Sequence, residues 1–180
     1  RQHMMMIGNF LHKPNWDANL FCVQMIWPIV RKHLPNAELH IYGAYAQQKH
    51  QQLNQVTQGV FLKGRAEDAL NTMAKYRLTL APLRFGAGQK GKVFESFISG
   101  TPCIGSDIAL ESMTQGIDCG YNLSQNAQEI AQTIISTYKE DSQWKKIQTQ
   151  GYYILQKNFS RQPRASLFFD RIKQQTQQLE

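Results

Sequence analysis

The residues best suited to chemistry lie close together in PLRFGAGQKGKVFES, from Pro82 to Ser96. Gly86, Gly88 and Gly91 have the G-x-G-x-x-G spacing of a dinucleotide-binding turn, and Gly86 through Lys92 read G-x-x-x-x-G-K, the core of a nucleoside-triphosphate loop. The triphosphate reading needs a Ser or Thr hydroxyl next for Mg²⁺, and Val93 offers no oxygen. The dinucleotide reading has an acid in the expected place, Asp107, about twenty residues on. Against it, Pro82, Arg84 and Phe85 stretch an approach that should be tight, and three α/β units come before the turn instead of after it.

A third reading uses the helix that starts near Gly91. The first amides of a helix, here those of Lys90, Gly91 and Lys92, have no partner within it and stand at the positive end of its dipole, a seat for phosphate. Gly86 and Gly88 let the backbone come close to a ligand. Val93, Phe94, Phe97 and Ile98 form the apolar stripe, which leaves Gly91, Lys92, Glu95 and Ser96 toward the opening. A carboxylate at Glu95, one turn in, can accept from both hydroxyls of a ribose whose diphosphate sits on the helix start. The same Glu95 would also stabilise the helix dipole, by about 0.3–1 kcal/mol, and the helix alone does not separate the two roles.

The elements that must position this turn alternate along the chain. HMMMIGN is a first strand, followed by a long helix over PNWDANLFCVQMIWPIVRKHL with Asn15 as its cap and a kink or break at Pro28. AELHIYG, GVFLKG, RLTLAPL and PCIGS read as further strands, with QQKHQQLNQV as a polar surface helix and AEDALNTMAKY as a short one. This β-α-β-α rhythm predicts an α/β, Rossmann-like three-layer domain with a mostly parallel sheet. From Ser124 onward the pattern becomes successive helices, with Ser124 and Ser160 as caps, so residues 124–180 form a helical tail on a single domain spanning 1–180.

Composition limits the function classes. The chain has 180 residues, which fits one large domain, with 42% hydrophobic and 18% charged residues, the balance of a folded protein. No apolar run reaches the roughly 20 residues a membrane span needs, and the start lacks a secretion signal, so a soluble cytoplasmic domain is expected. The missing initiator Met leads us to expect a piece whose upstream part is absent. Cys22, Cys103 and Cys119 have neither metal nor disulfide spacing and read as buried thiols in a reducing compartment. The net charge of +7 is spread along the chain. It does not form the aromatic-interleaved stripe of a specific nucleic-acid binder, although a basic tail is compatible with peripheral contact at the inner face of a membrane.

Beyond these residues, IGNFLHKPNWDANLF, GVFLKG and LAPLRFGAGQKGKVFESFISGTPCIGSDIALESM together resemble the donor-binding C-terminal half of a GT-B glycosyltransferase, of the retaining group 1 (family 4) class. The resemblance runs from about Met6 to Met113. It rests on G-N-F-x-H-x-P-N-x-D-A at Gly8–Ala18 and on G-x-G-x-K-G-K-V-x-E-x₄-G-x-P at Gly86–Pro102. It implies a lobe that holds a UDP- or GDP-sugar donor with no cofactor required, beside an N-terminal acceptor lobe of the same polypeptide. It also implies that Glu95 is the ribose ligand, that Gly88, Lys90, Gly91 and Lys92 are the diphosphate turn, with Gly86 and Ala87 beside them among the donor-binding residues, that Gly8 and Asn9 are the first glycine loop, and that Gly64, Arg65 and Ala66, with Asp68, cup the base. The catalytic residues are left unassigned: His12, in the cleft-facing loop, reads more readily as an ordinary loop hydrogen-bonding residue than as a proton-transfer group. The chain departs from the family where many relatives carry a glutamate eight residues before the ribose ligand, since Ala87 stands there. It departs again where relatives place an Arg and a Lys for the phosphates, since Asn9 and Asn15 stand there. Lys90 and Lys92, with Lys13 or Arg84, are then left to neutralise the diphosphate. Ser112 replaces a common glycine. An NAD(P)-binding oxidoreductase domain and a non-enzymatic basic binding module are the competing functions.

Overall fold

The computed structural model describes residues 1–159. Five strands, β1 (Gln2–Ile7), β2 (Leu39–Tyr42), β3 (Val60–Gly64), β4 (Tyr76–Ala81) and β5 (Cys103–Gly105), form one sheet in the order β3-β2-β1-β4-β5. Every pairing is parallel, with Met4 opposite both Leu39 and Leu78. The centre of the sheet could be read from β1. Met4, Met5 and Met6 are consecutive and all buried, as a strand covered on both faces requires.

Helices α1 (Lys13–Phe21) and α2 (Trp27–His33) connect β1 to β2, and α3 (Ala69–Met73) connects β3 to β4. Helix α4 (Gly91–Ile98) lies between β4 and β5, and α5 (Asp107–Thr114), α6 (Ala127–Lys139) and α7 (Asp141–Phe159) follow. From the β1–β4 centre the chain steps outward in opposite directions, so right-handed crossovers place α1–α2 and α4 on opposite faces. Helix α6 packs beside α2 and α7 beside α4. The α4–α7 contact is tight, because a Cβ on Gly151 would come within 2.9 Å of the Phe97 ring. This is the Rossmann-like three-layer arrangement expected from the sequence.

Several local expectations are corrected. The break in the first long helix precedes Pro28: Cys22–Ile26 form a π-helical segment in which the Trp27 amide donates to Cys22 O. The extra residue in the ladder makes room for a proline ring that cannot donate. QQKHQQLNQV is not an α-helix. It forms 3₁₀ turns at Gln48–Leu53 and Val56–Gln58, with His50 and Leu53 buried beneath it. Asn126 caps α6, accepting from the Gln128 and Glu129 amides, while Ser124 serves the Asn126 amide one step earlier. The proposed cap at Ser160 and the third tail helix lie outside the described residues. Cys22, Cys103 and Cys119 are free and buried, and burial pushes the Cys22 and Cys103 thiols up to about 12, which keeps them protonated and inert. No described helix is long and apolar enough to cross a membrane.

Candidate functional site

Strands β1 and β4 are neighbours whose connections leave in opposite directions, and the crevice beyond their carboxyl ends is where open parallel sheets bind ligands. The loop after β1 and the loop 82–90 after β4 meet there. Between them lies a cleft of about 200 Å³ lined by residues that include His12, Asn15, Ala87, Lys90, Gly91 and Lys92.

The loop after β4 takes its shape from its glycines. Gly86 and Gly88 have φ of +125° and +76°, which side chains disfavour, and Gly86 lies against the Pro14 ring. The Lys90 ammonium folds back on the turn, donating to Gly86 O at 3.0 Å and Gly88 O at 2.6 Å, and the Ser112 hydroxyl reaches Gly88 O at 3.3 Å. The chain then enters α4 with Lys90 as an extended N-cap whose side chain caps nothing. Lys90 O accepts from the Val93 and Phe94 amides. Among the described residues the amides of Lys90, Gly91 and Lys92 have no acceptor, so the donors expected at the helix start are open.

The inner face of α4 is nearly as the pattern required. Val93 and Phe97 are buried, Phe94 and Ile98 partly so, and Lys92 and Glu95 half-buried. Ser96 is the exception. It is fully buried, its hydroxyl donating to Thr101 O at 2.7 Å, because the turn after α4 folds beneath the helix and needs that donor. The Glu95 carboxylate has no hydrogen-bond donor among the described residues. Burial raises its pKa against a smaller opposing pull from Lys92. The Lys92 ammonium is pushed down to about 8 by burial, against a smaller opposing pull from Glu95 and with reinforcement from Lys90.

The loop after β1 supplies the facing wall. His12 is the N-cap of α1, without a side-chain cap bond, and its exposed ring borders the cleft. Asn15, expected to cap the helix, lies inside its first turn. It donates through Nδ2 to Asn9 O at 3.0 Å and accepts at Oδ1 from Lys92 Nζ at 2.6 Å. Pro14 was the available signal, since proline favours the first helical positions and so puts any cap before Asn15. Gly8 is squeezed by the same residue: a Cβ there would stand 2.7 Å from Asn15 Cγ. Asn9 is exposed, its Oδ1 accepting from the Leu11 amide at 2.8 Å.

The other expected contacts are set apart from this cleft. Gly64 ends β3 two strands along the same edge, at φ +73°, and its carbonyl accepts from Gly43. Arg65 beside it is exposed and Ala66 partly buried. Asp68 is committed as the cap of α3, bound to the Asn71 amide at 2.9 Å and the Asn71 side chain at 2.7 Å. Arg84 is committed too. It forms a two-pronged pair with Asp17 and stacks over Phe21 at 5.0 Å, so it is not a free phosphate ligand. Asp107, the acid of the dinucleotide reading, accepts from the Ile108 amide and from Gln125.

Comparison with known proteins gives a family and a fold. Residues 1–140 match the family described as glycosyl transferases group 1. The fold superposes on a TarM variant from S. aureus crystallised with UDP, at TM-score 0.71 and 17% identity over 87% of this chain and 32% of that one. HepE of Anabaena in complex with UDP-glucose gives 0.65 and 16% over 88% of this chain and 45% of that one. The C-terminal domain of LpcC, a group 1 glycosyl transferase family protein from Francisella tularensis, gives 0.65 and 15% over 89% of this chain and 87% of that one. At these identities the likeness is one of fold, and the chain spans about a third of TarM. No curated protein matches the chain by sequence.

Proposed function

The chain belongs to the group 1 glycosyl transferases, and from that premise we propose that it is the lobe that holds a nucleoside-diphosphate sugar for transfer, with retention, to an acceptor bound by a second lobe. The observation that carries this reading is the start of α4, where three amides without acceptors among the described residues, two lysines and a half-buried carboxylate one turn inside stand at the switch point of the sheet. In this reading the diphosphate sits on the Lys90–Lys92 amides, and Glu95 accepts from the ribose hydroxyls. The Gly64–Ala66 loop lies along the same edge, on the side of the base.

The chemistry follows from where charge develops. As the bond from the sugar to the diphosphate breaks, the leaving phosphate gains charge, and amide dipoles and ammonium groups fixed beside it stabilise that charge without reorganising. Lys90 has two of its three ammonium hydrogens on the loop carbonyls, so it shapes the turn and keeps one for phosphate. Ala87 lines the cleft without a carboxylate, so the transferred sugar is held there by groups other than the glutamate common among relatives. UDP is the leading donor nucleotide, supported by the UDP and UDP-glucose bound in fold neighbours. GDP is the competitor. We place the reaction in a reducing, cytoplasmic compartment, consistent with three free thiols. Peripheral contact with the membrane's inner face fits the net charge of +7.

The test is thermal unfolding of the chain with UDP, GDP, ADP or NAD. Stabilisation by UDP or GDP that disappears in Glu95→Ala supports the reading, and stabilisation by NAD alone would replace it with the oxidoreductase.

A further inference from the structure

A lysine in the first turn of a helix has a long, mobile side chain, and nothing in the sequence fixes where its ammonium goes. In this chain it is fixed. Lys92 Nζ crosses the cleft to Asn15 Oδ1 at 2.6 Å, linking α4 to the first turn of α1. Asn15 is itself held, with Nδ2 on Asn9 O at 3.0 Å and its face against Gly8, where no Cβ would fit without displacing it. Asn9 is held in turn through the Leu11 amide at 2.8 Å. The chain from the Leu11 amide through Asn9 and Asn15 thus ends on the ammonium next to the open amides of α4.

We propose that Asn15 is a positioning residue for donor binding, holding the Lys92 ammonium in place for the diphosphate without neutralising its charge. The inference rests on the reading that the diphosphate sits at Lys90–Lys92. An amide carbonyl suits this role better than a carboxylate. It accepts one of the three ammonium hydrogens and leaves two for phosphate oxygens, whereas an aspartate would cancel the charge the phosphate needs. Fixing the ammonium before donor arrives removes the ordering cost from the binding step. The half-buried setting strengthens the charge it presents. The charged and titratable groups around it are Glu95, Lys90 and Cys103.

The test is a double-mutant cycle on UDP affinity, measured by calorimetry on the chain with Asn15→Leu, Lys92→Met and both, with the thermal midpoint of each variant recorded. Lys92→Met is expected to weaken UDP about 30-fold and Asn15→Leu about tenfold, the range for hydrogen bonds to charged groups. The double variant should be no weaker than Lys92→Met, because Asn15 acts only through that ammonium. Asn15→Asp, which keeps the shape, should also lower affinity at pH 7 and move the alkaline loss of binding to higher pH. Losses that multiply, an Asn15→Leu variant that melts lower but binds UDP as before, or an Asn15→Asp variant that binds normally would overturn the inference while leaving the diphosphate seat intact. If neither Lys92→Met nor Glu95→Ala changes UDP affinity, the seat itself is wrong and the inference fails with it.

Discussion

Burial of Lys92 makes nucleotide binding depend on pH in a direction that can be worked out. Its ammonium titrates at about 8 in the free protein. A diphosphate in contact stabilises the charged form and raises that value, so above pH 8 binding must take up a proton. Between pH 7 and pH 9 the protonated fraction falls from about nine-tenths to about one-tenth. UDP affinity should therefore drop about tenfold, close to 1.4 kcal/mol. Above about pH 7 the terminal phosphate is already largely ionised, so little of this trend belongs to the ligand. Calorimetric titration across this range, repeated on Lys92→Met, isolates the residue, and the variant should bind weakly with a flat profile. Folding has the opposite sign. A lysine whose folded value lies below its unfolded value of 10.5 costs stability at neutral pH, a cost relieved as pH rises from about 8 to 10.5 and amounting to roughly 3 kcal/mol at most. Lys92→Met should accordingly unfold at higher denaturant concentration than the parent at pH 7 while losing UDP. A parent profile that stays flat to pH 9, or a variant with the parent's slope, would refute the assignment of Lys92 to the phosphates.

Further expectations are separable by simple assays. Glu95→Ala should weaken UDP by about 2–3 kcal/mol, the scale of charged hydrogen bonds to two hydroxyls, and binding to uridine should fall in parallel if the ribose is the contact. Gly43→Ala should destabilise the fold by about 1–3 kcal/mol in urea titration, because its Cβ would strike the Phe10 ring and come within 2.5 Å of Gly8 O. Arg84→Ala should leave UDP affinity unchanged and cost no more than about 1 kcal/mol of stability, since its pairing with Asp17 is half-exposed on the arginine side.

Much of the fold was legible because its signals are local and mutually consistent. Three buried methionines in a row mark a central strand, and a run of alternating strands and helices with right-handed connections leaves few sheet orders. The amphipathic stripe on α4 and the open amides at its start follow from spacing alone. The partners of side chains were much less legible. Ser96 read as cleft-facing until the turn at Thr101 claimed its hydroxyl, and Arg84, an alternative to Lys13 for the phosphates, is engaged by Asp17, 67 positions away. The Asn15–Lys92 link joins residues 77 positions apart. No periodicity carries such a pairing, since it depends on where the β1 and β4 loops meet. Pro14 was the one local clue, placing Asn15 inside the helix instead of at its cap. The 3₁₀ turns at Gln48–Gln58 were hidden for a related reason: polar composition favoured an outer helix, while the buried His50 ring lies between Phe10 and Trp16 at 4.6 and 4.8 Å.

The most direct measurement is a crystal structure of this chain with UDP. A donor seat at the start of α4 requires phosphate oxygens within hydrogen-bond distance of the Gly91 and Lys92 amides, both ribose hydroxyls on Glu95, and Lys92 Nζ shared between Asn15 and the diphosphate. A nucleotide lying elsewhere on the sheet edge, with Glu95 facing solvent and no phosphate at the start of α4, would contradict it.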